Sequence, residues 1–390
     1  MPARYSTIPF RQDARRPGRR TFVLGSMALI ASPLAVRAQS SEPIRIGQST
    51  ALSGALGDLG RATRDGAQAA FEAVNAAGGI HGRRVEPVVM DDGYDAGKAV
   101  ANIDTLLADR SIFLLSTCFG TPAIEAMLPK VLSSGIPFFA PYTGATSARA
   151  KARNVINVRA SYPEEAEQVV RHLSTIGLKR VAIAWQNNAF GKEVEGGAAR
   201  AIQKHGLTQV ASVSVEGDSS NVAEAVAKLV AAEPQAVVLG LAGKPALDTV
   251  KGLRAQRRGL SLYGLSVLGA ATTLKAMGAD GVGVTISQVV PSPVSQSVPL
   301  SRDFQRDWKA ARIAEEPSYV AMEGYLNARL LAEMLRRAGP AATRQTFLDT
   351  VWGTRQLDLG GFPVGFSEPG RSASTLVELT MIGRDGRFLR

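Results

Sequence analysis

The sequence of 390 residues contains a single cysteine, Cys118, and only three histidines, His81, His172 and His205. One thiol cannot close an intramolecular disulfide, and zinc or iron–sulfur sites that need several cysteines are excluded. The histidines are scattered along the chain and lack the spacing of a metal-binding pair. We therefore expect neither a metal nor a cofactor.

Long apolar runs are also missing, because beyond Ala38 no run reaches the roughly 18 residues that a membrane-spanning helix requires. Catalytic motifs are absent as well. The sequence has no Gly-x-Ser-x-Gly nucleophile elbow, and Gly54, Gly57 and Gly60 do not have the spacing of a dinucleotide-binding fingerprint. These absences predict a protein that is neither integral to a membrane nor an enzyme.

Charge of one sign is in excess, with 45 Lys and Arg against 34 Asp and Glu and a net charge of +11. Such a balance ordinarily suggests a nucleic-acid or anionic membrane partner. Residues 1–38, however, hold seven arginines and one acid, which leaves 38 basic against 33 acidic residues in the remainder. Because the excess is concentrated at the N-terminus, we expect no nucleic-acid partner.

The basic N-terminal segment has the features of an export signal. Arg19 and Arg20 precede an apolar stretch over residues 22–34 that is too short to span a bilayer, and Val36-Arg37-Ala38 resembles a signal-peptidase site. The paired arginines followed by Phe22 resemble the twin-arginine motif. We predict a signal peptide over residues 1–38 and a periplasmic location; an ordinary secretory signal or a basic tail is the alternative.

Strand-like and helix-like segments alternate along the rest of the chain, which is typical of parallel sheets covered by helices on both faces. Ile44 to Thr50 is the first predicted strand, and the pattern begins again after residues 154–158 with a helix over residues 164–176. A length of about 350 residues favours two domains. The fold class expected is α/β, with two domains.

Short motifs are distributed along the chain after its N-terminal segment. They are Pro43-Ile44-Arg45-Ile46-Gly47, Leu52-Ser53-Gly54, Asn75-Ala76-Ala77-Gly78-Gly79-Ile80-His81-Gly82-Arg83, Asp91-Asp92-Gly93-Tyr94-Asp95, Gly135-Ile136-Pro137, Asn157-Val158-Arg159-Ala160-Ser161-Tyr162 and Tyr319-Val320-Ala321-Met322-Glu323-Gly324-Tyr325. Together these motifs resemble the leucine/isoleucine/valine-binding family of type I periplasmic solute-binding proteins, and the match extends from about residue 43 to the C-terminus.

The resemblance implies two Rossmann-like lobes joined by a three-segment hinge near Ala160, Val289 and Leu359. Lobe one would comprise residues 43–160 and 290–358, and lobe two residues 161–289 and 359–390. It also implies a monomeric substrate-binding protein of an ABC importer. Such a protein closes around a small-molecule ligand, and the importer's permease and ATPase complex recognises the closed form. A sensing subunit of a signalling system is the alternative. A transcription repressor of this fold would need a helix-turn-helix domain where the export signal lies.

The first half of the sequence offers a site for an anion. Open parallel sheets bind ligands beyond the carboxyl ends of their strands, where helices begin. Thr121, followed by Pro122, is a predicted helix N-cap, and Tyr142-Thr143-Gly144 is expected to start a second helix. Two helix N-termini could bind one carboxylate without a basic side chain. The family resemblance implies the same use of these two loops, and Ser53 completes the rim.

The second half departs from the family pattern. Ser266 stands where the resemblance implies an acid for a ligand's ammonium group, and Phe190, after Gln186, replaces a tyrosine that closes over the ligand. A neutral hydroxyl cannot balance a buried cation. We therefore expect a small carboxylate-bearing ligand: a branched-chain or other amino acid, an aromatic acid or an amide. A carboxylate with an apolar or aromatic body, or an amide, is favoured over a zwitterionic amino acid, unless Glu323 supplies the missing charge.

Two other features have a structural explanation. Asp91, Asp92 and Asp95 lack the alternating oxygen ligands of a calcium loop and are expected to form a turn and a helix cap. Cys118 lies beside the proposed ligand loop without a recognisable histidine partner, and we expect a buried apolar residue there.

Overall fold

The fold is described from a computed structural model, over residues 42–389. The predicted signal peptide, residues 1–38, lies outside the described residues. Within the described part, none of the helices is both long and apolar enough to cross a bilayer.

The first sheet has five parallel strands in the order β2-β1-β3-β4-β5. Its strands are β1 (Ile44–Thr50), β2 (Val85–Asp91), β3 (Ile112–Ser116), β4 (Phe138–Phe139) and β5 (Val155–Ile156). Nearly every residue of β1 is buried, as expected for a central strand covered on both faces.

Helices cover both faces of this sheet. They are α1 (Gly57–Ala76), α2 (Ala96–Ala108), α3 (Thr121–Ser134), α9 (Pro299–Ala310), α10 (Tyr319–Ala338) and α11 (Arg344–Gly353). Apolar residues of α1, α9, α10 and α11 pack on one face, and those of α2 and α3 pack on the other. We call the first sheet with these helices the first lobe.

The second sheet has seven strands in the order β14-β13-β10-β9-β8-β6-β7. Its strands are β6 (Arg180–Gln186), β7 (Thr208–Val215), β8 (Ala236–Gly240), β9 (Ser261–Gly264), β10 (Thr285–Gln288), β13 (Glu378–Ile382) and β14 (Phe388–Leu389). Strands β6 to β10 are parallel, whereas β13 and β14 add an antiparallel hairpin at one edge.

The second sheet is covered by α4 (Tyr162–Thr175) and α5 (Ala189–Lys204) on one face and by α6 (Val222–Ala231) and α7 (Gly243–Gln256) on the other. The short helix α8 (Ala271–Met277) and 3-10 turns over Ser266–Leu268 and Gly278–Gly281 follow β9. In β6, Val181 and Ile183 face α4 and α5, while Ala182 and Ala184 face α6 and α7. We call this layer the second lobe. The predicted α/β fold with two lobes is confirmed.

The chain passes between the lobes three times. It crosses between β5 and β6, between β10 and α9, and between the ribbon of β11 (Leu357–Asp358) and β12 (Pro363–Val364) and strand β13. Phe362 and Phe366 still pack in the core of the first lobe. The predicted hinge near Leu359 precedes this last crossing, and the residue boundaries of the lobes stay a prediction.

Helices α1 and α10 approach each other very closely, which only glycine permits. A Cβ atom added at Gly66 would lie 1.9 Å from the carbonyl oxygen of Ala321, and one at Gly324 would lie 2.0 Å from that of Thr63. Both distances are far below van der Waals contact, so the helix axes would have to move apart.

Replacing Gly66 by alanine is therefore expected to lower the free energy of unfolding by about 1–3 kcal/mol or more, through overpacking against backbone that cannot rotate away. Urea denaturation measures the change. Gly353→Ala at the end of α11 is the matched control, because nothing lies within 4 Å of an added Cβ there. Equal stability of the two variants would show that α1 and α10 can separate without cost.

Candidate ligand-binding cleft

A small cavity lies between the two lobes, where the carboxyl ends of strands from both sheets face each other. Its volume is about 20 Å³, space for about one water molecule. Eleven residues line it: Leu56, Leu59, Tyr94, Phe119, Gly120, Thr121, Tyr142, Tyr162, Phe190, Ala242 and Val267. The lobes are thus closed, and a ligand enters only when they move apart.

Aromatic rings form most of the cavity wall. Phe119 stacks on Tyr142 with ring centroids 5.2 Å apart, and Tyr162 meets Phe190 edge to face at 5.1 Å. Tyr94 packs against Phe119 at 5.9 Å. Such a wall favours an apolar or aromatic ligand body.

Two glycines make room for these rings. A Cβ at Gly120 would lie 2.5 Å from the ring of Tyr94, and one at Gly144 would lie 2.6 Å from that of Tyr162. Gly120 also has a φ of 94°, which strains any other residue. Gly144 accepts a hydrogen bond of 2.7 Å from the backbone N–H of Tyr162.

The polar end of the cavity is lined by Thr121, which contacts Thr143 behind it. The hydroxyls of Thr121 and Thr143 are hydrogen-bonded to each other at 2.8 Å, and both side chains are buried. Thr121 is the first residue of α3, whose N-cap is Gly120, so the predicted N-cap at Thr121 is wrong by one position. Its hydroxyl faces Thr143 rather than the helix backbone.

The expected helix after Thr143 is also wrong, since residues 143–154 form loops and turns. This loop binds the second lobe instead. The hydroxyl of Thr146 donates to the Glu193 carboxylate of α5 at 2.7 Å, and the backbone N–H of Ser147 donates to it at 3.1 Å. The helix N-terminus at Thr121 is therefore that of α3, whereas the segment after Thr143 supplies none.

The second lobe contributes Phe190 to the wall. Phe190 lies in the first turn of α5, whose N-cap Asn188 accepts a hydrogen bond of 3.0 Å from the N–H of Gly191. Gln186, at the end of β6, is buried behind the wall and accepts a bond of 3.4 Å from the N–H of Ala242. Gln186 thus orients a wall residue without lining the cavity.

Of the eight residues predicted from the sequence, Thr121, Tyr142 and Phe190 line the cavity. Thr143 and Gly144 contact lining residues, and Ser266 lies beside Val267, which does line it. Ser53 is exposed, and its hydroxyl donates to Asp91 at 2.6 Å. A role in binding for any of the eight stays a prediction.

The aspartates after β2 hold loops together, as predicted. Asp91 accepts hydrogen bonds from the Ser53 hydroxyl and from the N–H groups of Leu52, Ser53 and Gly93, and these bonds lower its pKa to about 2. Asp95 is the N-cap of α2 and accepts from Lys98 N at 2.8 Å. Within residues 42–389, no three His, Cys, Asp or Glu side chains are grouped to hold a metal.

Cys118 is fully buried among apolar residues, in agreement with the prediction. Burial raises the pKa of its thiol to about 12. Because the thiolate is the reactive form, Cys118 is not suited to act as a nucleophile.

A buried charge cluster lies behind the cavity, and sequence reasoning missed it. The guanidinium of Arg159 donates to Glu165 Oε1 at 2.6 Å and lies 3.4 Å from Glu323 Oε1. It also lies 5.4 Å from the ring centroids of both Tyr142 and Tyr162, so it supports two rings of the cavity wall. The three charged side chains are at most 4% exposed.

The cluster also explains the position of Ser266, which hydrogen-bonds Glu165. Its hydroxyl and N–H donate to the Glu165 carboxylate at 3.1 and 2.9 Å, and Ser287 Oγ donates to it at 2.6 Å. Arg159 Nη2 in turn donates to Ser266 Oγ. Both Glu165 and Glu323 face Arg159, and neither lines the cavity. The only signal in the sequence was the presence of these residues in or beside the family-like motifs.

Comparison with known proteins identifies the family. The family model described as periplasmic binding protein matches residues 43–387. The chain belongs to this family. A substrate-binding periplasmic protein from Ralstonia solanacearum is 33% identical, with a TM-score of 0.83 over 89% of this chain and 99% of that one. A possible leucine/isoleucine/valine-binding protein from Rhodopirellula baltica is 26% identical, with a TM-score of 0.84 over 91% and 98%.

Among curated sequences, Leu/Ile/Val-binding protein homolog 3 of Brucella melitensis is 28% identical over 200 residues, which is 50% of this chain and 54% of the relative. The chain thus matches about half the length of this curated relative. The predicted resemblance to the leucine/isoleucine/valine-binding proteins is confirmed by these relatives.

The buried ion pairs yield a prediction about stability in this periplasmic binding protein. Arg159→Met should lower the free energy of unfolding by about 3–5 kcal/mol, because it leaves the buried carboxylate of Glu165 without its cation. Chemical denaturation measures the loss. Adding Glu165→Gln to Arg159→Met should recover part of it, and a double variant no more stable than the single one would contradict this electrostatic explanation.

Proposed function

We propose that this periplasmic binding protein is the extracytoplasmic receptor of an ABC importer, and that it binds a small carboxylate with an apolar or aromatic body between its lobes. The observation that carries the proposal is the aromatic-walled cavity at the carboxyl ends of both sheets, with one polar end.

A larger groove of about 500 Å³ lies between α1 and the edge strand β2. That groove is built by the first lobe alone, so lobe closure cannot enclose a ligand there.

Binding proceeds by hinge closure in this proposal. The ligand first contacts Thr121, Tyr142, Thr143 and Gly144 on the first lobe, and the second lobe then brings Phe190 over it. The structure is in a closed state, in which apolar residues of both lobes form one continuous cluster. A Cβ at Gly243 of α7 would lie 2.8 Å from Leu56 of the opposite lobe, which shows how tightly the lobes meet.

The ligand's carboxylate is assigned to the polar end of the cavity. There the N-terminus of α3 carries partial positive charge, and the Thr121 and Thr143 hydroxyls can rotate to donate to an anion. Glu165 and Glu323 face Arg159 and do not line the cavity, so neither is positioned to pair with a ligand's ammonium group. The arrangement favours a carboxylate or amide without a compensating cation.

The importer's permease and ATPase are the proposed partners, because family members of this kind deliver ligand to such complexes. The names of the Brucella and Rhodopirellula relatives refer to leucine, isoleucine and valine, which have a carboxylate and an apolar body but also an ammonium group. These names therefore support the carboxylate and the apolar body of the proposed ligand, and not the absence of a cation. Export by residues 1–38 would place the protein in the periplasm. We propose that it acts as a monomer.

A thermal-shift screen of the purified protein against branched-chain amino acids, aromatic acids, keto acids and amides tests the ligand class. A ligand that binds only the native state raises the melting temperature, by a linkage free energy of about 2.7 kcal/mol at a hundred times its Kd. We expect aromatic or apolar carboxylates to give the largest shifts. Tight binding of leucine or valine by calorimetry, with no response to aromatic acids, would overturn the assignment.

The double variant Thr121→Val with Thr143→Val tests the polar end of the cavity. Its ligand affinity should fall at least tenfold, the effect of losing about 1.4 kcal/mol of hydrogen bonding. Its free energy of unfolding should fall by about 1–3 kcal/mol, because the buried N–H of Ala145 loses the Thr143 hydroxyl that accepts its hydrogen bond at 3.1 Å. Calorimetry and urea denaturation measure the two effects.

The matched control replaces Thr105 and Thr350 by valine. These threonines are exposed on α2 and α11, and each hydroxyl bonds a backbone carbonyl of its own helix. Affinity should be unchanged in the control. An unchanged affinity in the Thr121 and Thr143 variant would move the carboxylate site elsewhere.

A further inference from the structure

The buried cluster holds more negative than positive charge. Glu165 and Glu323 are 0% and 3% exposed, and both face the single guanidinium of Arg159, which is 3% exposed. A full negative charge left over in such an environment is costly, and a buried carboxyl in this position takes up a proton rather than remain charged. The geometry indicates which carboxyl does so.

The two carboxyls have very different partners. Glu165 accepts four hydrogen bonds of 2.6–3.1 Å, from Arg159, Ser287 and the hydroxyl and N–H of Ser266, which suits a carboxylate anion. Glu323 lies 3.4–3.5 Å from Arg159 Nη1, and its Oε1 has no hydrogen-bond partner. A side-chain hydrogen bond with Tyr142 gives Glu323 some support, but its negative charge is less well stabilised than that of Glu165.

The cluster is assembled from both lobes. Glu323 lies near the start of α10, in the first lobe. Glu165 lies in α4, Ser266 lies beside β9 and Ser287 lies in β10, all in the second lobe. Arg159 lies in the first crossing between the lobes. Moving the lobes apart would separate these groups and admit water to Glu323.

Other charged groups near α10 do not act on the Glu323 carboxyl. The helix α1 meets this part of α10 through Thr63 and Gly66, which carry no charge. Asp307 of α9 binds the hydroxyl of Tyr325 at 2.6 Å and is paired with Arg306 and Arg329. The ionisable groups that act on Glu323 are Arg159, Glu165 and Tyr142.

We propose that Glu323 is a proton-binding group that couples closure of the cleft to pH, holding a proton when the lobes are closed and releasing it when they open. Burial raises the pKa of Glu323 from its ordinary value of 4.5 to about 7, and Glu165 adds to this rise, while Arg159 and Tyr142 oppose it. Because the pKa is higher in the closed state, closure is favoured at low pH and weakens as pH rises through about 7.

The first test needs no ligand. Thr272 of α8 donates a hydrogen bond to Asp58 of α1 across the mouth of the cleft, so Asp58→Cys with Thr272→Cys can lock the closed state by a disulfide. Infrared difference spectra of the locked protein should show the C=O band of a neutral carboxyl at pH 6 and its loss by pH 8.5. Adding Glu323→Gln should abolish this band. A locked protein without a titrating band that depends on Glu323 would overturn the proposal.

The second test rests on the proposed function and uses the carboxylate that gives the largest thermal shift. The wild-type protein should bind it up to about tenfold more tightly at pH 6 than at pH 8, the effect of one proton taken up on closure. Glu323→Gln, which imitates the protonated form, should bind equally well at both values. Glu333→Gln on the solvent side of α10 is the matched control and should keep the wild-type dependence.

The two tests distinguish a failure of the proposed receptor function from a failure of the proposed coupling between closure and pH. If no ligand of the screen binds, the proposed function fails, while the locked protein still decides the proton site. If ligand binds with the same pH dependence in wild type and Glu323→Gln, the coupling is overturned and the receptor function stands.

Discussion

The pairing of one buried arginine with two buried glutamates is the interaction on which the junction of the lobes depends. Arg159 reaches Glu165 of the second lobe and Glu323 of the first, and its guanidinium also supports Tyr142 and Tyr162 of the cavity wall. Burying these charges costs free energy unless every partner is in place. The contact between the closed lobes therefore depends on this single cluster of charged residues. A substitution of any one of these residues is expected to affect both lobes.

The same structure separates charge from the space where a ligand would lie. The charged groups lie behind the tyrosines, while the cavity is lined by aromatic and aliphatic side chains and by Thr121, whose hydroxyl bonds that of Thr143. In a largely apolar cavity of this kind, a few polar groups set the orientation of a ligand and the rings set its shape. The absence of side chains at Gly120 and Gly144 is as necessary as the rings, because each glycine occupies space that a Cβ would take from a tyrosine.

Most of the fold follows from local patterns. The sequence predicts residues 44–50 as the first strand because a run of β-branched and apolar residues there is followed by a turn, and β1 confirms it. The antiparallel hairpin of β13 and β14 was not predicted, since its short strands have no distinctive pattern. The helix expected after Thr143 did not form, because that loop bonds to Glu193 of the other lobe and the bond is invisible in local sequence.

The sequence by itself determined the α/β class, the family, and the loops after β3 and β4 as parts of the cleft. Only the tertiary structure decided that Arg159, Glu165, Ser266 and Glu323 form one cluster, and that Tyr94, Phe119 and Tyr162 join the cavity wall. Local propensity and strand order act over a few residues, whereas these contacts join positions separated by up to 164 residues. Their geometry and burial, and hence their charge state, exist only once both lobes have folded and met.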